Sequence, residues 1–83
     1  MEVKVLGAGC ARCKTLFEDA KKAMELAGLG AAVEYVSDIT VIMNYDVLMT
    51  PALVINGEVK AAGRVPSITE MVTWFTNAAV AEG

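Results

Sequence analysis

A strand, a glycine turn, one amphipathic helix and a second strand fill the first 36 residues, and this order limits the folds open to the chain. Glu2-Val3-Lys4-Val5-Leu6 alternates polar and apolar before turning apolar, which is the period of a strand. Gly7-Ala8-Gly9 reads as a flexible turn. From Ala11 to about Leu29 the spacing is helical: Cys13, Leu16, Phe17, Ala20, Met24 and Ala27 share one face. Lys14, Glu18, Lys21, Lys22 and Glu25 lie largely opposite, with Glu18–Lys22 and Lys21–Glu25 as supporting pairs one turn apart. Gly28 and Gly30 end the helix, and Ala32 to Val36 reads as a second strand. Two strands joined by a helix are expected to lie parallel with a right-handed crossover.

The second half reads differently. Ser37 and Asp38 are cap residues for a short helix over Ile39 to about Tyr45. Thr50-Pro51 breaks the chain before Ala52-Leu53-Val54-Ile55, an apolar strand suited to the middle of a sheet. Asn56-Gly57 is a strong hairpin signal, and it returns the chain as Glu58 to Ala62. Gly63, Pro66 and Ser67 mark a turn, and Ser67-Ile68-Thr69-Glu70 is a capping box opening the last helix. Ile68, Met71, Val72, Phe75 and Ala79 form its apolar face. The order β-α-β-α-β-β-α implies an α/β fold with a four-stranded mixed sheet covered by helices. No repeat or linker interrupts it, so residues 1–83 read as one domain.

Composition narrows the function classes. Apolar residues make up 55% of the chain, enough for a core without structural disulfides. A net charge of −3 with seven scattered basic residues argues against nucleic acid, because no basic stripe is present to neutralise phosphates. No apolar run is long enough to span a membrane. The start, Met-Glu-Val-Lys-Val, has a strand pattern and not that of a signal peptide, so a cytoplasmic location is expected. In a reducing compartment a cysteine pair is expected to be catalytic or metal-binding. The chain has no histidine, which removes Cys–His nucleophile pairs and imidazole acid–base chemistry. With only two cysteines, a closed four-ligand zinc site would need carboxylates or a second chain.

Both cysteines stand in Cys10-Ala11-Arg12-Cys13, between the glycine turn and the first helix. Cys10 would occupy the N-cap or first turn, where unpaired backbone N–H groups and the helix dipole favour an anion. Arg12 adds positive charge nearby. Both effects stabilise a thiolate, the reactive form of cysteine. Cys13, one turn on, falls on the apolar face. The spacing therefore points to an exposed attacking thiol and a protected resolving thiol.

The Cys10–Cys13 motif after the first strand, with Thr50-Pro51-Ala52-Leu53-Val54-Ile55-Asn56-Gly57, resembles the thioredoxin fold, a general association for Cys-x-x-Cys in this setting. More narrowly, the chain looks like the small prokaryotic redox-active disulfide proteins, thioredoxins of glutaredoxin size. The match runs from about Val3 to Phe75. The resemblance implies that Cys10 and Cys13 form a redox-active disulfide, with no other cofactor and no metal. It implies a cis peptide before Pro51, a substrate-pairing backbone at Thr50, and a glycine, Gly63, before the last helix. It implies protein disulfides as substrates and a flavin-dependent, thioredoxin-reductase-type enzyme as electron donor. The chain departs from larger thioredoxins in three ways. Gly9 stands where they carry tryptophan, the Ala11-Arg12 dipeptide has no proline, and the first strand has no buried acid to take the resolving thiol's proton.

Two other readings remain at this stage. A redox-dependent docking or sensor module would use the same disulfide without turnover. A soft-metal module would use the two thiolates for Cu(I) or zinc. The copper-carrying domains with a similar cysteine motif run β-α-β-β-α-β and end on a strand, whereas this pattern ends on a helix.

Overall fold

The computed structural model describes residues 1–82. Four short strands and three helices follow in order: β1 (Val3–Leu6), α1 (Ala11–Leu26), β2 (Val33–Val36), α2 (Ile39–Met43), β3 (Ala52–Ile55), β4 (Glu58–Ala62) and α3 (Ile68–Glu82). The sheet order is β2-β1-β3-β4, with β1 and β2 parallel and the other neighbours antiparallel. This is the mixed α/β arrangement expected from the element order.

Side-chain alternation divides the strands between two layers. Val3 and Val5 of β1 and Leu53 and Ile55 of β3 face α1 and α3, where Leu16, Ala20, Met71 and Phe75 complete the larger core. Leu6, Ala52 and Val54 face the other way, onto Ile42 of α2. All four β3 residues are buried, as a central strand covered on both faces requires. Truncating a fully buried ring such as Phe75 to alanine is expected to cost about 3–5 kcal/mol.

Local signals set most boundaries. Helix α1 stops at Leu26, three residues short of the expected end. Gly28 takes φ +70, its N–H bonds Glu25 O and the Leu29 N–H bonds Met24 O, a Schellman closure. Helix α2 ends at Met43 and is followed by turns through Asp46, whose φ is 56. Asp38 caps α2 through the Thr40 N–H. On α1, Glu18 pairs with Lys21 at 3.1 Å in place of the expected Lys22, and Lys21 also lies 4.4 Å above the Phe17 ring. Asn56 and Gly57 have φ of 51 and 81, the two left-handed residues of a tight hairpin.

The register sets where chemistry can gather. Leu6 pairs with both Val36 and Ala52, and Ala52 pairs with Ala62. The chain therefore leaves β1, β2 and β4, and enters β3, at one end of the sheet. Gly7, Pro51 and Gly63 all lie at that end.

Candidate functional site

Cys10 is exposed and forms the N-cap of α1. Its sulfur accepts a hydrogen bond from the Cys13 N–H at 3.1 Å, so it stands where a helix stabilises negative charge. No acidic residue lies in the first turn of α1 to compete for that position. Cys10 and Cys13 are joined as a disulfide, with Cα atoms 5.1 Å apart. Cys13 is 0% exposed. The pair thus has one sulfur open to a partner and one enclosed in the core.

The enclosure depends on Gly7. A Cβ built on Gly7 would lie 2.7 Å from Cys13 Sγ and 2.9 Å from the Tyr35 hydroxyl, closer than any side chain tolerates. Gly7, read from the sequence as part of a flexible turn, is instead a buried close-approach position. Tyr35 enters the site from β2 and accepts the Gly9 N–H at 2.9 Å. Its ring meets Phe17 edge-on, with centroids 5.3 Å apart. Sequence reasoning missed both residues. The available signals were a glycine directly after a strand and a polar-tipped aromatic at the strand position that pairs with core-facing Val5.

Three of the remaining site candidates, Arg12, Pro51 and Gly63, are joined by hydrogen bonds. Gly63 receives the Arg12 guanidinium on its carbonyl at 2.7 Å and donates its N–H to Pro51 O at 2.8 Å. One residue therefore ties the cysteine helix to the loop before β3. Arg12, expected from the sequence to add charge near Cys10, makes a structural clasp. Gly63 has φ +77, and its open side is covered by Met49, whose atoms reach 3.0–3.1 Å from where a Cβ would stand. A side chain there would be both strained and blocked. The Thr50–Pro51 peptide is cis, and Pro51 is fully buried. Thr50, half-buried, lies outside the β3 pairings, which begin at Ala52.

A second charged feature borders this end. Arg64 forks onto Glu70 at 3.3 and 3.4 Å, and the Ser67 N–H reaches the same carboxylate at 3.1 Å. The Glu70 carboxyl is held below the usual range, first by the Ser67 N–H and then by Arg64. Among the described residues, no group of three or more His, Cys, Asp or Glu side chains converges. No described helix is long and apolar enough to cross a membrane.

Comparison with known proteins agrees with this geometry. The family described as "Thioredoxin domain" matches residues 1–76. A protein named "Thioredoxin" from Methanothermobacter thermautotrophicus is 32% identical over 71 residues, covering 86% of this chain and 92% of the relative. A second "Thioredoxin", from Methanocaldococcus jannaschii, is 30% identical over 69 residues, covering 83% of this chain and 79% of the relative.

Proposed function

The chain belongs to the thioredoxin family and is a thiol–disulfide oxidoreductase, and from that premise we propose that it reduces protein disulfides with Cys10 attacking and Cys13 resolving. The observation that carries this reading is the asymmetry of the pair: Cys10 exposed at a helix N-cap, Cys13 wholly buried.

The steps follow from that asymmetry. In the dithiol form the Cys10 thiolate attacks one sulfur of a substrate disulfide. The substrate S–S bond breaks, its second sulfur leaves as a thiolate and takes up a proton, and Cys10 is left in a mixed disulfide. Cys13 then loses its proton and attacks Cys10 Sγ. The mixed disulfide breaks, the substrate leaves as a dithiol, and Cys10–Cys13 closes. Two electrons have passed to the substrate, and a reductase returns them. Proteins bearing disulfides and a reductase are its partners. The reading adds that the reductase is a flavin-dependent enzyme of the thioredoxin-reductase type, that the disulfide is the sole redox group, and that the protein works in the cytoplasm.

Docking has a physical basis beside the cysteines. Leu48 is 98% exposed and Met49 63% exposed, directly before Thr50–Pro51. These side chains gain by burial against a protein substrate, while the Thr50 backbone pairs with an extended segment of it. Glutathione is a poorer fit. Its amino group needs an acidic partner after Gly63, but Arg64 stands there and already neutralises Glu70.

A coupled assay tests the reading. With NADPH, a thioredoxin-reductase-type flavoenzyme and insulin, the protein is expected to turn over. Faster recycling by glutathione and glutathione reductase would overturn the assigned electron donor. Failure to reduce insulin with either donor would overturn the reductase reading.

A further inference from the structure

Resolution requires a thiolate on Cys13, whose side chain is fully buried. Among the described residues no buried side chain is charged or polar, and burial disfavours a thiolate. Charged groups on the surrounding elements are engaged or turned to solvent. Arg12 bonds Gly63 O, Lys4 lies with Glu2 and Tyr45, Arg64 holds Glu70, and Lys14 and Glu34 are exposed. The exception is the Tyr35 hydroxyl. It and Cys13 Sγ both approach within 3 Å of the point a Gly7 Cβ would occupy, and glycine leaves that point empty.

We propose that Tyr35 supports the resolving step by donating its hydroxyl hydrogen bond to the Cys13 thiolate. A phenolic hydroxyl accepts and donates at once. Here the acceptor side is taken by the Gly9 N–H, which leaves the proton for a second partner. The ring is braced against Phe17, so the hydroxyl is presented from a fixed position. In the disulfide form the Cys13 sulfur is bonded to Cys10. When that bond opens, the sulfur is free to rotate about the Cys13 Cα–Cβ bond, and Gly7 places no side chain at the point that both atoms approach. Tyr35 keeps its own proton throughout. The Cys13 proton passes to water, and the departing substrate thiolate takes one from water. The chain thereby supports a buried thiolate without a buried acid on β1. This inference rests on Cys13 being the resolving thiol.

The test begins with trapping. Cys13→Ser must accumulate a mixed disulfide with substrate; if it does not, the assignment of attacking and resolving thiols fails before Tyr35 is touched. Cys10→Ser is then compared with Cys10→Ser/Tyr35→Phe by thiolate absorbance. The Cys13 midpoint is expected to rise by about one pH unit, the effect of losing one hydrogen bond to the charged form. In the Cys13→Ser background, Tyr35→Phe is expected to leave the Cys10 midpoint in place. A purely structural role, anchoring the loop through Gly9, would instead move Cys10 at least as far as Cys13, and that result overturns the proposal. So does an unmoved Cys13 midpoint. In the otherwise wild-type protein, Tyr35→Phe should lower the Cys13 thiolate fraction at pH 7 about tenfold. The more basic thiolate is a better nucleophile, so substrate release should slow about threefold. The wild-type protein supplies an independent measurement that does not depend on the variant folding. The Tyr35 ring carbon bearing the hydroxyl should titrate by NMR with the Cys13 thiolate in the reduced protein. A flat response in the reduced protein overturns the proposal.

Discussion

Helices α1 and α3 both start from a side chain that accepts a backbone hydrogen bond from three residues on, at 3.1 Å in each case: Cys10 Sγ from Cys13, Ser67 Oγ from Glu70. In α3 the arrangement is closed. The Ser67 N–H in turn donates to the Glu70 carboxylate, which Arg64 neutralises. The positive end of that helix is already occupied by the chain's own anion. In α1 the third residue is Cys13 and the first turn holds no acid, so the cap atom itself is placed to become the anion. The same local geometry therefore stabilises the fold at one site and activates a nucleophile at the other. The cap residue decides between them, because a thiol can ionise there and a serine hydroxyl does not, and the third helical position sets whether that end is closed by Glu70 or left open at Cys13.

The comparison breaks most completely at Cys10. Cys10→Ser keeps a capping oxygen, so α1 should remain folded while insulin reduction falls to the uncatalysed background. Circular dichroism together with the coupled assay reads both. In the partner variant, Cys13→Ser, the Cys10 thiolate should titrate below about 8.5, the value of a free cysteine. A midpoint at or above that value would remove the distinction drawn for α1.

At α3 the expected effect is on stability alone. Ser67→Ala should cost about 1 kcal/mol, lowering Tm by about 4–8 °C for a chain of this size, with the Cys10 titration unchanged. Thermal melts of the two proteins check the first part; a shift of Cys10 would show that the two caps are coupled.

Arg12→Ala sharpens the α1 side. It removes the bond to Gly63 O and a positive charge two residues along the chain from Cys10. The Cys10 midpoint should rise, by less than about 0.7 units, because an exposed charge pair supplies at most about 1 kcal/mol. Tm should fall as well, since the clasp to the Pro51 loop is lost. An unchanged Tm would make Arg12 purely electrostatic.

The smallest effect belongs to the Glu70 carboxylate. Its pKa is lower in the folded chain than in the unfolded one, so it contributes stability above the unfolded value, about 4.3. That contribution disappears as pH falls through the folded value. Both Arg64 and Glu70 are more than a third exposed, so solvent screening keeps the effect small. Glu70→Gln should flatten the acid limb of Tm against pH below about 4.3. An acid limb identical to that of the parent would assign the pH dependence to other carboxylates.

Legibility in the sequence tracked the distance over which each instruction acts. The Asn56-Gly57 hairpin, the Ser67–Glu70 box and the Cys10 cap are each written within four residues and stand where the pattern put them. The end of α1 was less clear, because two glycines followed the helix. Gly28 closes it through φ +70, and Leu29 then packs at the edge of the larger core. The helical period of α1 places Cys13, Leu16, Ala20 and Met24 in the core, yet Ala23 is also fully buried while Phe17 is only half-buried. Phe17 sits at the rim beside Tyr35 and beneath Lys21, a placement set by neighbours and not by helical period.

By itself the sequence determined the element order, the chain turns and the placement of a cysteine pair at a helix start, because backbone dihedrals and helix caps respond to adjacent residues. Only the tertiary structure decided what meets that pair. Arg12 reaches Gly63 across 51 positions and Gly9 reaches Tyr35 across 26. Gly7 proved to be a contact point, not a hinge. These meetings depend on the register that brings the ends of β1, β2 and β4 and the start of β3 to one edge. Register is set by how two apolar faces of the sheet bury against helices on either side, a property of the whole packed chain.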